Sequence, residues 1–233
     1  MAKPFLSLII PVSNDADYLP LTLMEADRLF SEKQFSYEII VVDDGSSDAT
    51  STIAKHFGEA MKGIKIIDNT ERRGMSTVMH IGMLSAKGAW RVIIPGPIDA
   101  PLAWVCEKLS TIQPGSNARV LLLSGARTFF ADILSKIHSS GLRLIFKSKM
   151  SAFYPMAACF SDETAMHIFP LLKTKQQGML EALLIAEQLG YRPFEAKTGL
   201  RDSKYDKKTS YLQTFTETIK IRWWLWRKAY NLI

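Results

Sequence analysis

Cysteines, long apolar runs and secretion signals are scarce or missing in this sequence. Only two cysteines, Cys106 and Cys159, occur among 233 residues, and neither has the spacing of a metal ligand or a disulfide framework. The N-terminus lacks the features of a signal peptide, and no apolar stretch reaches the ~18 residues that a membrane-spanning helix needs. We therefore expect a chain of a reducing compartment, with two buried thiols and only peripheral membrane contact.

The common catalytic signatures are also missing. The sequence has no phosphate-binding loop with its lysine and no Gly-x-Ser-x-Gly elbow. The histidines are spread one to each predicted helix, with no pair at ligand spacing. They are His56, His80, His138 and His167. Isolated histidines of this kind favour surface or core positions over metal binding or acid–base catalysis.

The composition is that of a folded domain with a mild excess of positive charge. Hydrophobic residues make up 47% and charged residues 22% of the chain, which argues against disordered and fibrous classes. A length of 233 residues suits one large α/β domain with a sizeable core. The net charge of +6 favours anionic partners, but by itself it does not distinguish phosphates, phospholipid surfaces and nucleic acid.

Strand-like and helix-like segments alternate through the first hundred residues. Strands are predicted at residues 6–12, 39–42, 64–69 and 89–95, and helices at 18–33, from Ser47 or Asp48 to Phe57, and at 75–88. Gly88 is expected to end the third helix. Alternation at this spacing predicts an α/β fold with a mostly parallel sheet and right-handed crossovers.

The alternation of predicted strands and helices is less regular after residue 101. Helices are predicted at 101–112, 129–149, 162–172 and 178–190, and strands at 118–125 and 191–196. The sequence contains no internal repeat and no low-complexity linker. We predict one domain over residues 1–212, with a nucleotide half at 1–101 and an acceptor half at 102–212, followed by a basic aromatic helix at 213–233.

Polar residues follow the predicted strands where ligands of open α/β sheets bind, at the carboxyl ends of the strands. In "VVDDGSSDAT", Asp43 and Asp44 can accept hydrogen bonds from a base N–H and from ribose hydroxyls. Gly45 permits a tight turn, and Ser46 presents a hydroxyl. A strand end followed by a helix cap would also need Asp or Ser, so this run alone leaves both interpretations open.

Three segments, taken in their order along the chain, resemble a known protein family. "LIIPVSNDADYLP", "YEIIVVDDGSSDAT" and "GMSTVMHIGMLSAKGAWRVII" together resemble the family 2 glycosyltransferases of the GT-A fold. The nearest branch includes the dolichyl-phosphate mannose and glucose synthases. The resemblance implies a Rossmann-like, mostly parallel sheet flanked by helices. It also implies inverting transfer of a sugar from a UDP- or GDP-linked donor to a polyprenyl-phosphate or related acceptor.

The resemblance also implies roles for particular residues. Pro11, Val12 and Asp15 would line the base pocket, and Asp43 and Asp44, with Gly45 and Ser46, would contact the base and ribose of a nucleotide-sugar. The candidates for contact with phosphate are Arg72, Arg73, Arg127 and Lys204. For each of these cations, a solvated surface position is the alternative interpretation.

One departure from the family concerns the metal. Family members end the fourth strand in an Asp-x-Asp motif that holds a divalent cation on the donor diphosphate. Counted from Gly88, the two acids should stand where this chain has Pro95 and Pro97, which offer no carboxylate. No metal site is therefore expected, and Mg²⁺ or Mn²⁺ would be a cofactor only if Asp99, a weak candidate for catalysis as well, substituted for the lost motif.

Further family positions have become apolar. Met75 lies in the loop that meets the donor, and Met179 replaces the acid at a helix start, beside the retained Glu181. Joint loss of several functional positions favours a degenerate enzyme over a single adaptive change.

The C-terminal segment "TIKIRWWLWRKAY" interleaves four cations with four aromatic residues. Residues 219–230 on a helix would form a basic aromatic element of the kind that lies in a bilayer interface. The alternative is a helix packed on the domain. A nucleic-acid partner is not expected, because the sequence lacks a motif for base stacking on a sheet.

Two main hypotheses remain from the sequence. The first is an active family 2 glycosyltransferase at the cytoplasmic face of a membrane, in which Asp99 or nearby arginines compensate for the lost cation site. The second is a non-catalytic protein that binds nucleotide or supports a partner glycosyltransferase as a regulatory or scaffold subunit. A nucleotidyltransferase is a distant third, since it too needs paired carboxylates for metal.

Overall fold

The computed structural model describes most of the chain in one α/β architecture. The described residues are 3–94, 99–112, 119–126, 139–150, 153–201, 211–227 and 230. Side chains are not described at residues 99–100, 125–126, 197–201 and 211–215.

Strands and helices alternate along the chain as the apolar periodicity predicts. The strands are β1 (Leu6–Val12), β2 (Tyr37–Asp44), β3 (Ile64–Asn69), β4 (Trp90–Ile93), β5 (Val120–Ala126), β6 (Ala157–Ser161) and β7 (Phe194–Arg201). The helices are α1 (Leu19–Glu32), α2 (Thr50–Ala60), α3 (Met75–Ser85), α4 (Asp99–Thr111), α5 (described over 139–146), α6 (Asp162–Ile168), α7 (Gly178–Gln188) and α8 (Tyr211–Trp226), with a 3₁₀ turn at Phe169–Leu171.

The seven strands form one sheet in the order β3-β2-β1-β4-β6-β5-β7. Strands β1 to β4 are mutually parallel where they pair, and the β1–β2 register places Val12 opposite Asp43. The sheet reverses at β6, which pairs antiparallel with both β4 and β5, and β7 returns parallel to β5. The prediction of a mostly parallel α/β sheet is therefore confirmed, but β6 was not predicted, although it lies inside the sheet.

Two apolar cores cover the two faces of the sheet. Alternation along β1 sends Leu8 to one face and Ile9 to the other, as the two-residue period of a strand requires. The Leu8 side packs against α1 and α4, and the Ile9 side packs against α3, α6 and α7. Cys106 and Cys159 lie buried on the Leu8 side as free thiols, as predicted. Burial raises the pKa of Cys106 to about 11, so that thiol is unreactive.

Three helix ends test the capping predictions. Gly190 follows α7 with φ of +81°, as expected of a glycine that ends a helix. The prediction for Gly88 is wrong, since α3 ends at Ser85 and a Cβ on Gly88 would stand 2.6 Å from the Ser7 backbone nitrogen. Gly88 is instead the place where the chain crosses close to β1. Helix α2 begins at Thr50, after the N-cap residue Ala49, and not at Ser47 or Asp48 as predicted; the Asp48 carboxylate accepts from the backbone N–H of Thr50 at 3.0 Å.

The C-terminal aromatic segment is helical and packs on the domain. The α8 side chain of Ile221 is fully buried, and Trp224 and Leu225 lie against the core on the Ile9 side of the sheet. Part of the segment therefore follows the alternative of a helix packed on the domain, because Trp224 and Tyr230 face the protein. In the part of the chain that the structure describes, no helix is long and apolar enough to cross a membrane.

Candidate donor site at the carboxyl edge

Asp43, near the end of β2, is fully buried and incompletely hydrogen-bonded. Its Oδ1 accepts from the Ser46 backbone N–H at 3.0 Å and from the Ser46 hydroxyl at 2.5 Å. Its Oδ2 is buried and has no hydrogen-bond partner among the described residues. Burying a carboxylate oxygen without a hydrogen-bond donor costs free energy. This oxygen is therefore the clearest candidate to accept a hydrogen bond from a ligand N–H or O–H.

Hydrogen bonds join the loops after β1 and β2 beside Asp43. The Asn14 backbone N–H donates to the Ser46 hydroxyl at 2.9 Å, and the Ser47 N–H donates back to the Asn14 side chain at 2.8 Å. The Asp15 N–H donates to the Thr50 hydroxyl at 2.9 Å. Asn14 adopts a positive φ of 59°, which an Asn tolerates better than most residues. These bonds fix the two loops as one rim.

Asp44 points to the opposite face of the sheet from Asp43, because neighbouring strand residues alternate. Its two carboxylate oxygens accept from the backbone N–H groups of Arg73, at 2.7 Å, and Gly74, at 3.1 Å. Asp44 therefore holds the loop between β3 and α3. The pair does not converge on one ligand atom, and Asp44 is already engaged by protein donors.

Two glycines allow the β3–α3 loop to lie close to its neighbours. Gly45 has φ of +65°, and a Cβ there would stand 2.9 Å from the Glu71 carbonyl carbon. Gly74 has φ of +92° and ψ of 155°, a region that is essentially restricted to glycine. A Cβ at Gly74 would stand 2.6 Å from the carbonyl oxygen of Lys175. Side chains at either position would push the loop away from β2 or from the segment before α7.

The two predicted arginines of this loop are both exposed. Arg72 adjoins the contact with Gly45, and the backbone of Arg73 is held by Asp44. Within the described part of the chain, neither guanidinium group has an ion-pair or hydrogen-bond partner. The loop therefore presents two uncommitted cations beside the carboxyl end of β2. Arg127 and Lys204, the other phosphate candidates, lie outside the described residues.

The three residues predicted to line the base pocket differ in the exposure of their side chains. Pro11 and Val12 are buried within β1, and the Val12 side chain belongs to the core on the Leu8 side. Asp15 is half-buried, and its carboxylate accepts from the Ser13 backbone N–H at 2.7 Å. Among the three, Asp15 alone presents a polar side chain at the rim.

The carboxyl end of β4 contrasts with that of β2. β4 ends at Ile93, the next residue Ile94 is also buried, and residues 95–98 lie outside the described residues. Proline and isoleucine side chains carry no metal-ligand atoms, and Asp99 has no described side chain. In the described ranges, no three acidic, histidine or cysteine residues form a metal-binding group. The residues present here do not fit the divalent cation of the family motif.

The amino end of β4 is held by a buried cation. Arg91 is 4% exposed at its side chain, and it pairs with Asp162 at the start of α6 and donates to the Met83 carbonyl. Lys3 pairs with the same carboxylate. Arg91 and Lys3 hold the pKa of Asp162 below its usual value, although partial burial opposes the shift. The pair of Arg91 and Asp162 was not predicted from the sequence, because only the sheet brings the two residues together.

The two histidines whose ring nitrogens make described hydrogen bonds have ordinary structural roles. The Nδ1 atom of His80 lies 2.8 Å from the Phe169 carbonyl oxygen, and that of His167 lies 2.8 Å from the Tyr191 hydroxyl. These contacts agree with the predicted surface or core positions.

Comparison with known proteins places this geometry in a family. Residues 7–94, which contain β1 to β4, match the model of glycosyl transferase family 2. The dolichyl-phosphate beta-glucosyltransferase of Dictyostelium discoideum is 25% identical over 94% of this chain and 74% of its own length. The human enzyme of the same name is 32% identical over 52% of this chain, a match that spans only 40% of the human protein.

Solved structures share the fold. A mannosyltransferase from Pyrobaculum calidifontis, in complex with GDP-mannose and Mn²⁺, aligns with a TM-score of 0.59 at 17% identity, over 94% of this chain and 65% of that one. Glucosyl-3-phosphoglycerate synthase from Mycobacterium tuberculosis, with Mg²⁺ and UDP, aligns with a TM-score of 0.65 at 16% identity, over 94% and 79%. At identities of 16–17%, these matches show that the chain shares the GT-A fold. Residues 7–94 therefore carry the glycosyl transferase family 2 domain, and the chain is similar to the dolichyl-phosphate beta-glucosyltransferases.

Proposed function

We propose that this protein binds a nucleotide-sugar at the carboxyl edge of β1 and β2 and transfers the sugar to a polyprenyl phosphate. The observation that carries the proposal is the buried Asp43 carboxylate, with one oxygen that lacks a donor. A base or ribose hydrogen at this place would satisfy that oxygen. The names of the dolichyl-phosphate relatives support a lipid phosphate as acceptor and UDP-glucose as the first donor to test.

The exposed arginines offer a metal-free way to hold the donor diphosphate. In the transfer, an acceptor phosphate oxygen attacks the anomeric carbon, the bond from that carbon to the diphosphate oxygen breaks, and the nucleoside diphosphate departs with the bonding electron pair. Guanidinium groups of Arg72 and Arg73 would offset the negative charge that develops on the leaving group. An acceptor phosphate is already ionised, so the reaction needs no general base at the position of Met179.

The membrane contact that we propose is one face of α8. Ile219, Trp223 and Trp226 follow helical spacing and are 53%, 47% and 69% exposed. The Arg227 guanidinium lies 4.4 Å from the centre of the Trp223 ring. Exposed aromatic residues flanked by cations suit the headgroup region of an anionic leaflet. We place this peripheral contact at the cytoplasmic face, where the lipid acceptor would be reached.

The second candidate is a non-catalytic subunit that binds nucleotide or supports a partner glycosyltransferase. Pro95 and Pro97 favour it, since the family's cation ligands are absent from the strand end where the diphosphate would lie. In this case the Asp43 pocket would still bind nucleotide. Both candidates therefore bind nucleotide, but only the enzyme would transfer the sugar.

Two assays separate the candidates. Calorimetry of the purified chain with UDP and GDP, each with and without Mn²⁺, measures binding and its metal dependence. Transfer from UDP-glucose or GDP-mannose to polyprenyl phosphate in anionic vesicles measures turnover. Binding with transfer supports the enzyme, binding without transfer supports the subunit, and absence of nucleotide binding contradicts both.

A further inference from the structure

A second buried polar cluster lies outside the donor site and joins α8 to the segment before α7. We call it the α8 junction, and it consists of Glu181 of α7, Glu217 of α8, Tyr230 and residues 173–177. Both carboxylates are buried, Glu181 completely and Glu217 to 8% exposure. Buried acids are rare unless several donors surround them, so this cluster needs a structural or functional reason.

Glu181 binds one end of the segment. Its carboxylate accepts from the backbone N–H groups of Lys173, at 2.9 Å, and Thr174, at 2.8 Å, and from the Thr174 hydroxyl at 2.8 Å. The Tyr230 hydroxyl donates to the same carboxylate at 2.6 Å. Burial, together with the Glu181 carboxylate, raises the pKa of Tyr230, so its hydroxyl remains a donor.

Glu217 binds the other end. One of its oxygens accepts from the backbone N–H groups of Gln176, at 3.1 Å, and Gln177, at 3.0 Å. Residues 173 and 174 are therefore bound by Glu181, which in turn is bound by Tyr230. Residues 176 and 177 are bound directly by Glu217 of α8. A segment without regular structure is fixed here by side chains from the C-terminal part of the chain.

The same segment touches the donor loop. The Lys175 carbonyl accepts from the Ser76 backbone N–H at 3.1 Å, at the start of α3. The hydroxyls of Ser76 and Thr174 lie 3.3 Å apart, and Gly74 packs against the Lys175 carbonyl. Gly74 is also the residue that Asp44 holds from the other side. The β3–α3 loop is thus clamped between Asp44 and the α8 junction.

We propose that Glu217 and Tyr230 are positioning residues that set the β3–α3 loop for the nucleotide, so that α8 is part of the donor site's support. This inference rests on the proposed function, since the loop carries Arg72 and Arg73. The outward face of α8, with Trp223 and Trp226, stays exposed while the inward face makes these bonds. One helix would then contact lipid through its outward face and hold the donor loop through its inward face.

The test compares Glu217→Gln and Tyr230→Phe with Glu163→Gln as matched control. Glu163 is an exposed acid paired with Arg119 and makes no described contact with residues 173–177. Amide hydrogen exchange of peptides that cover residues 74–77 and 173–177 is measured on the full chain, together with the UDP and GDP affinities, well below the melting temperature of each variant. The exchange readout does not depend on nucleotide binding.

We expect faster exchange in both peptides for Glu217→Gln and Tyr230→Phe, and nucleotide affinity about tenfold weaker, with no change in the control. Faster exchange without wild-type nucleotide binding would overturn the proposed function and leave the loop coupling standing. Unchanged exchange, or unchanged affinity in a wild type that does bind, would overturn the positioning role. Tyr230→Phe removes one hydroxyl and keeps the ring, so it covers the case in which Glu217→Gln fails to fold.

Discussion

The ends of β2 and β4 stand at the same edge of the sheet, with β1 between the two strands, and carry opposite chemistry. Each strand has a buried apolar run, at residues 39–42 in β2 and 92–93 in β4. β2 ends in two acids that organise loops on both faces, whereas β4 runs into Pro95 and Pro97. The sheet requires only the apolar strand, so the family fold persists whichever residues follow it.

The two strand ends differ in whether the acids that could bind a ligand also hold the fold. The acids of β2 hold the rim and the β3–α3 loop, so their loss would also disturb the fold around the site. The amino end of β4 is anchored by Arg91 and Asp162, at the far side of the sheet from the missing motif. Acids at the carboxyl end of β4 would serve a ligand, and the fold tolerates their replacement. Four predictions test this comparison.

The largest effect is expected from Asp43→Asn. The amide keeps the shape but replaces the acceptor oxygen with a donor, so we expect UDP or GDP affinity to fall about 100-fold. The free energy of unfolding should fall by about 1–2 kcal/mol, because the two hydrogen bonds from Ser46 weaken when a neutral amide replaces the carboxyl group. Calorimetry and urea unfolding measure the two quantities.

Glu163→Gln is the matched control for this change. Glu163 lies in α6, beside the amino end of β4, and pairs with Arg119 at the surface. Equal losses of affinity in both variants would mean that a general loss of negative charge, and not the Asp43 site, governs binding.

The next effect is on stability and concerns the loop that Asp44 holds. Gly74→Ala adds a Cβ 2.6 Å from a backbone oxygen in a conformation restricted to glycine. We expect a loss of about 2–4 kcal/mol of unfolding free energy. Gly190→Ala separates the two causes, since Gly190 has a similar φ but nothing within 4 Å of its Cβ, and should lose only about 1–2 kcal/mol. Equal losses would mean that the close approach at Gly74 contributes nothing.

A smaller effect is expected from restoring acids after β4. In the double variant Pro95→Asp, Pro97→Asp, Mn²⁺ should strengthen nucleotide binding about tenfold, because two carboxylates could hold a cation on the diphosphate. The unmodified chain should show no such dependence. Mn²⁺ dependence in the unmodified chain would instead implicate Asp99 or another undescribed ligand, and would remove the contrast between the two strand ends.

The smallest effect concerns the amino end of β4. Asp162→Asn leaves the buried Arg91 without its carboxylate. Because Asp162 is one-third exposed, we expect a loss of only about 1 kcal/mol near neutral pH, with no change in nucleotide affinity. The lowered pKa of Asp162 means that its contribution is present above the ordinary value of 3.8 and is lost as the pH falls below it. The variant should therefore lose less stability than the unmodified chain on acidification from about pH 5 to about pH 2, as urea titrations would show. An identical acid dependence would contradict this assignment.

The sequence by itself determined the local features of the first half. The apolar runs predicted β1 and β3 at their observed limits, because each run is bounded by polar or glycine-rich turns. The position of the acids at the end of β2 and their absence at the end of β4 were also visible in the sequence. These features depend on neighbours along the chain, so periodicity and turn residues are enough to reveal them.

The tertiary structure alone decided which distant residues meet. The short strand β6 entered the sheet antiparallel because pairing partners on both sides, β4 and β5, were available to it. Glu181, Glu217 and Tyr230 looked like ordinary helix residues, and they became buried only when α8 packed beside the segment before α7. A carboxylate's role depends on the donors that surround it, and here those donors come from residues far apart in the chain.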